Sequence, residues 1–270
     1  MTSERQSMKH NKKKQDFLLL FIGIICLIVF VICAVFLLRY YRDYRQEKSM
    51  DEELRELGRQ VQTEAAENNQ GNAKDEDQDE QEFPQINASV YREKNEDYVA
   101  YLYIPDTEIE YPVVQRNNSY YLNHSVEHDE NKAGAIFTED YNTKTFEDPN
   151  TVIYGHGMAN GSMFDGLHQY MDRDFFDQNK EVIIYMPDKI LHYQIFAAYL
   201  YDNRHLLQSF NFDNKDIYQA YLDMVFGIRD MKSNIDTAAS VTADDKIITL
   251  STCYGNQSDK RFLVQAVLVS

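Results

Sequence analysis

The sequence predicts a mostly β domain, a largely antiparallel barrel with inserted helices, preceded by one membrane-crossing helix. Three observations carry this. Short apolar runs separated by turn residues recur through 91–270, without the strand–helix alternation that builds a parallel sheet. A 22-residue stretch, "FLLLFIGIICLIVFVICAVFLL" from Phe17 to Leu38, carries no charge. Between these two regions lies a segment too polar and too acidic to bury a core.

The N-terminal elements follow in order. At ~1.5 Å per residue the apolar stretch reaches roughly 33 Å, enough for a hydrocarbon core of about 30 Å. It is longer than the apolar region of a cleavable signal peptide and lacks a small-residue cleavage site, so 17–38 reads as a retained anchor. Basic residues flank it on both sides, "MTSERQSMKHNKKKQ" before and "RYYRDYRQEK" after, so charge scarcely separates the two orientations. We place the short tail, 1–16, in the cytoplasm and everything after the span outside the cell. Residues 39–90 read as a charged stalk, partly helical at its start and then disordered. Asp51 to Glu82 hold twelve acidic residues against three basic ones, and self-repulsion keeps such a chain extended.

The β domain is predicted over 91–270. "DYVAYLYIPDTEIEYPVVQ" alternates apolar and polar residues around a "PDTE" turn, a β-hairpin pattern. "AGAIFTED" and "NTVIYGHG" are two further strands. "SMFDGLHQYMDRDFFDQN" has helical spacing at Met163, Leu167, Tyr170 and Met171. "EVIIYMPDKILHYQIFAAYLY" gives two strands around a "PDK" turn, and "NKDIYQAYLDMVFGIRDMKS" an amphipathic helix. "DKIITLSTC" and "RFLVQAVLV" close the chain as two apolar strands. No internal repeat is visible.

Composition narrows the function classes. A net charge of −17 argues against nucleic-acid binding. There is no CxxC, no HExxH, no calcium-loop pattern and no glycine-rich phosphate loop, so the sequence predicts neither a metal nor a cofactor. Two of the three cysteines, Cys26 and Cys33, lie in the apolar span, which leaves Cys253 as an unpaired thiol in the exported part.

Three residues stand out for chemistry. Cys253 ends the strand "IITLSTC" on the face it shares with Ser251 and Thr249, the more polar of the two faces. A structural cysteine more often sits among aliphatic residues. His156 lies between Gly155 and Gly157 directly after an apolar strand, where the glycines allow a sharp turn that presents the imidazole. Arg261 opens the last strand. If "CYGNQSDKR" joins neighbouring antiparallel strands, Arg261 lies beside Cys253 and its guanidinium can hold a carbonyl or a developing oxyanion. A filler thiol, a turn that needs only its glycines, and a surface arginine are the alternative readings of the same residues.

The motif "TLSTC" (Thr249 to Cys253) followed by Arg261, with "YGH" ending an earlier strand, resembles the sortases, membrane-anchored cysteine transpeptidases of Gram-positive bacteria. The resemblance runs from about Tyr98 to the C-terminus. "YPVVQ" followed by "NNSYYLNH", together with the long helix before "DKIITLSTC", resembles class B in particular. It implies a closed eight-stranded sortase-type β-barrel, with Cys253 as nucleophile, His156 as general acid/base and Arg261 as the group that positions substrate. Asn118 and Leu122 become substrate contacts by the same likeness, Ser251 and Thr252 by adjacency to Cys253, and Leu206 by its place near the inserted loop. The implied partners are the sorting-signal peptide of a secreted protein and an amine, either of a cell-wall precursor (lipid II or peptidoglycan) or of a pilin lysine. Two departures are Gly157, where class B members often carry a second histidine, and Tyr254, where some relatives carry an acid. A hydrolytic cysteine peptidase, a pilin-polymerising sortase and a non-enzymatic binding module are the rival functions.

Overall fold

The computed structural model describes residues 21–42, 45, 91–92, 95–255 and 257–270. The tail assigned to 1–16 lies outside them, as does the stalk at 39–90 apart from 39–42 and 45. The first unit contains helix α1, Phe21–Arg42, with a mean hydropathy of 3.4. By length and composition it is able to cross a membrane.

The second unit is the barrel. Its strands are β1 (Tyr98–Tyr103), β2 (Glu110–Val114), β3 (Ile136–Thr138), β4 (Asn150–Tyr154), β5 (Glu181–Tyr185), β6 (Ile190–Asp202), β7 (Asn234–Ile235), β8 (Ile247–Tyr254) and β9 (Gln257–Leu268). They run in the order β5-β1-β2-β3-β4-β8-β9-β6-β7, and β5 also pairs with β6. That last pairing closes a ring of eight strands and removes the open edges a flat sheet would expose. The 13-residue β6 makes closure possible. Its first residues pair with β5, and further along Ala197 and Ala198 take up the two-residue β7.

The barrel is mixed. Among the described residues β2–β3 and β4–β8 pair in parallel, and the other pairings are antiparallel. A parallel pair cannot be joined by a tight turn, so each needs a long connection. Between β2 and β3 that connection holds the 3₁₀ turn η1, Tyr120–Leu122. Between β4 and β8 it holds the whole of β5 to β7.

The segment predicted as one helix is two. Phe164–Met171 forms a 3₁₀ helix, η2, and Arg173–Gln178 forms the α-helix α2, capped by the Asp172 side chain. The buried side chains of η2 are Phe164, Leu167 and Tyr170, spaced strictly by three. Three residues per turn puts such a set on one face, whereas an α-helix would spread it. The second predicted helix is α4, Lys215–Phe226, which follows the short α3, Leu206–Ser209. Its buried residues Tyr218, Tyr221, Leu222 and Val225 lie three, four and seven apart, and Asn214 caps its N-terminus by accepting from the N–H groups of Asp216 and Ile217.

Two clusters fill the molecule. The barrel interior holds Leu102, Ile153, Phe164, Ile248, Leu250 and Val264 among others. Outside the wall, α4 packs Tyr218, Leu222 and Val225 against Val152, Ile247 and Leu263. The polar face of β8 lies on this outer side. Thr249 Oγ1 donates to Asn150 Oδ1 at 2.8 Å and accepts from Gln265 Nε2 at 2.8 Å, in a buried network that reaches Tyr221 on α4.

Candidate active site

The site is built where β4 and β8 end and β9 begins. Register places its parts. β8 and β9 are antiparallel, with Cys253 directly opposite Arg261. The turn between them is tighter than the sequence predicts. β9 begins at Gln257, so Arg261 lies within the strand, and Gly255 at φ +51 makes the turn. The register shifts immediately after Cys253, which therefore sits on the last regular rung of the ladder.

β4 runs parallel to β8 with Tyr154 beside Ser251. β4 stops there: Gly155 N–H donates to Ser251 O at 3.1 Å, and His156 follows on the loop that leaves the strand for the cleft. Gly155 passes so close to the barrel interior that a Cβ there would stand 2.4 Å from Ile136 Cδ1 and 2.7 Å from the Phe164 ring. The backbone beyond is pinned as well, because Phe164 N–H donates to His156 O at 2.8 Å. The ring itself is oriented by the opposite wall: His156 Nε2 lies 2.8 Å from the Leu122 carbonyl oxygen. A carbonyl only accepts, so Nε2 carries the proton it donates and Nδ1 remains for the cleft.

Cys253, His156 and Arg261 line one cleft of about 220 Å³. The half-buried Cys253 thiol is therefore neither sealed in the core nor fully in solvent. Asn118, Leu122, Ser251 and Thr252 line the same cleft. Leu122 is 45% exposed, an apolar side chain left open at the rim. Leu206 does not line it; at 5% exposure it belongs to the outer core cluster, and its neighbour His205 faces the cleft instead.

Sequence reasoning missed Glu139, Tyr154 and His205, which also line the cleft. Glu139 is completely buried, with the Tyr154 hydroxyl 2.7 Å and His205 Nε2 2.9 Å from its Oε2. A carboxylate directly after an apolar strand, in "AIFTED", was the one available signal. Nothing in the local pattern distinguishes it from a solvated strand end. Among the described residues no group of three or more His, Cys, Asp or Glu is placed to hold a metal ion.

A thiol, an imidazole and a guanidinium lining one cleft are the groups that cysteine acyl transfer uses. The sortase domain model matches residues 102–269. The chain belongs to the sortase family. It is 36% identical to sortase B of Listeria monocytogenes over 179 residues, 65% of this chain and 71% of the relative. Its fold is similar to Clostridium perfringens sortase B (30% identity, TM-score 0.61, 67% of this chain and 99% of that one). It is also similar to the Staphylococcus aureus sortase B–substrate complex (26% identity, TM-score 0.68, 84% of this chain and 98% of that one). Within the family it is a class B cysteine transpeptidase.

Proposed function

We propose that this chain cleaves a C-terminal sorting signal of secreted proteins through a thioester on Cys253, then passes the protein to an amine of the cell wall. The observation that supports this best is the register of three strands, which brings Cys253, Arg261 and His156 to one cleft. Cys253 first gives its thiol proton to His156 Nδ1; the thiolate attacks the scissile carbonyl carbon, an S–C bond forms, and the C–N bond breaks. His156 protonates the departing amine. The acceptor amine then attacks the thioester, gives its proton to His156, and releases the thiolate. Arg261 supplies fixed donors to the oxyanion of both tetrahedral intermediates.

The peptide lies along Asn118 and Leu122 on one wall and Ser251 and Thr252 beside the nucleophile. Staphylococcus aureus sortase B is known in complex with a substrate, and the shared fold supports a peptide groove here. The α1 helix is the membrane anchor in this reading, with the catalytic domain outside the cell.

Mass spectrometry of the full-length chain incubated with sorting-signal peptides tests the proposal. A peptide adduct on Cys253 that is discharged by an added amine is the expected result. Complete hydrolysis under saturating amine would instead identify a cysteine peptidase, and discharge by pilin lysine in preference to a wall-precursor amine would identify a pilin polymerase.

A further inference from the structure

Glu139 follows β3 and continues its pairing: its N–H donates to Val152 O at 2.9 Å, and its carbonyl accepts from Gln115 Nε2 at 2.9 Å. Its side chain is wholly buried, yet it forms part of the cleft wall. A carboxylate in such a place is costly unless donors surround it. Three do. Asn118 Nδ2 donates to Oε1, while the Tyr154 hydroxyl and His205 Nε2 reach Oε2. They come from the segment before η1, from the end of β4, and from the residue that caps α3. The His205 tautomer follows from its second bond. Nδ1 accepts from the Gln208 N–H at 3.3 Å, so the hydrogen directed at Glu139 is on Nε2.

These three donors are thereby turned inward. The Asn118 amide directs its nitrogen at Glu139 and, at 3.2 Å, at Asp140 Oδ1. Its Oδ1 accepts the Asp140 N–H at 2.9 Å and keeps a second lone pair. Tyr154 gives its hydroxyl hydrogen to Glu139, so its oxygen offers lone pairs alone. Tyr154 also joins Glu139 to the catalytic side. Its phenol is raised well above its ordinary value, first by burial and then by the charge and hydrogen bond of Glu139, while the charge of Arg261 acts in the opposite sense.

We propose that Glu139 is a positioning residue of this active site. By collecting the donors of Asn118, Tyr154 and His205 it ties the two walls of the groove together and leaves hydrogen-bond acceptors facing the peptide. The groove then recognises main-chain N–H groups and amide, hydroxyl or cationic side chains, and disfavours a carboxylate; Arg261 remains the donor for the carbonyl under attack. This rests on the peptide-transfer function proposed above.

The test uses the full-length chain in detergent, with Glu139→Gln and Glu139→Asp. Glutamine keeps the volume but sets a donor against donors; aspartate keeps the charge but is too short to reach all three partners. With a sorting peptide that acylates the parent, both variants raise KM by roughly tenfold or more while kcat stays within about threefold. Cys253 is also labelled with the trimethylammonium-ethyl and sulfonato-ethyl methanethiosulfonates, and peptide mapping separates it from Cys26 and Cys33. The cation-to-anion rate ratio falls by about threefold or more in Glu139→Gln and is retained in Glu139→Asp. An unchanged KM in both variants overturns the proposal, as does a loss confined to kcat. If Glu139→Gln does not fold by circular dichroism, Glu139→Asp decides through KM. If no sorting peptide acylates the parent, the peptide-transfer reading fails by itself, and equal labelling ratios in the parent and Glu139→Gln would still overturn the role of Glu139.

Discussion

Cys253 and Arg261 face each other across one antiparallel rung, and His156 is held by a backbone carbonyl from a third part of the chain. Each group is therefore positioned by the backbone, and each substitution should act on chemistry more than on folding. Cys253→Ala and His156→Ala are expected to give no thioester in single-turnover assays. Arg261→Ala should lower kcat/KM by roughly 10²–10³, the usual cost of losing an oxyanion donor. Near-parental turnover in His156→Ala would remove that histidine from the mechanism. The glycines beside it differ from each other. Gly155→Ala drives a methyl group into Ile136 and Phe164 and should cost about 1–3 kcal/mol in thermal denaturation. Gly157→Ala meets Thr252 Oγ1 at 3.3 Å, a milder contact, and should cost less.

The elements around the site owe their form to short-range rules that the sequence displays in unequal measure. α4 is legible because its apolar residues keep an α-helical period and Asn214 is a strong cap. Replacing Asn214 with Ala leaves two N–H groups unmet and should cost about 0.5–2 kcal/mol in chemical denaturation. A cost near zero would mean that burial of Tyr218 and Leu222 by itself holds the helix. η2 is less legible, because Met163 and Met171 suggest an α-helix while the side chains that enter the core keep a period of three. Only contact with the barrel reveals which set counts. β7 has two residues, Asn234–Ile235, and no pattern that short announces a strand. It exists because β6 extends past β5 and leaves an unpaired edge.

At the scale of the molecule, closure brings distant charges together. Glu147, between β3 and β4, meets Lys189 in the β5–β6 turn and Lys246 before β8. Hydrogen bonds from both lysines, then their charges, hold the Glu147 carboxyl down from 4.5 to about 2. A carboxyl lowered on folding contributes stability in full above its unfolded value and loses it as pH falls through the folded one. The melting temperature should therefore decline between pH 4.5 and about 2, and Glu147→Gln should flatten that part of the curve. Glu147 is exposed, so the effect is small and added salt should reduce it further. A pH profile identical in the variant and the parent would assign the acid loss to other carboxyl groups.

The sequence by itself determined the apolar helix, most of the strands, α4, and the three residues that carry the proposed chemistry. These depend on neighbours in the chain: an uncharged run, a period of two, a period near 3.6, and two motifs at strand ends. The tertiary structure decided what depends on residues far apart. It made β2–β3 and β4–β8 parallel, closed the ring through β5 and β6, and brought His156 into one cleft with Cys253. It also buried Glu139 under donors from three separate segments and moved Leu206 into the core while turning His205 to the cleft. Local periodicity tells a side chain which face of its own element it occupies. Which other element covers that face is set by pairing across the barrel, and that register is where the groove acquires its polarity.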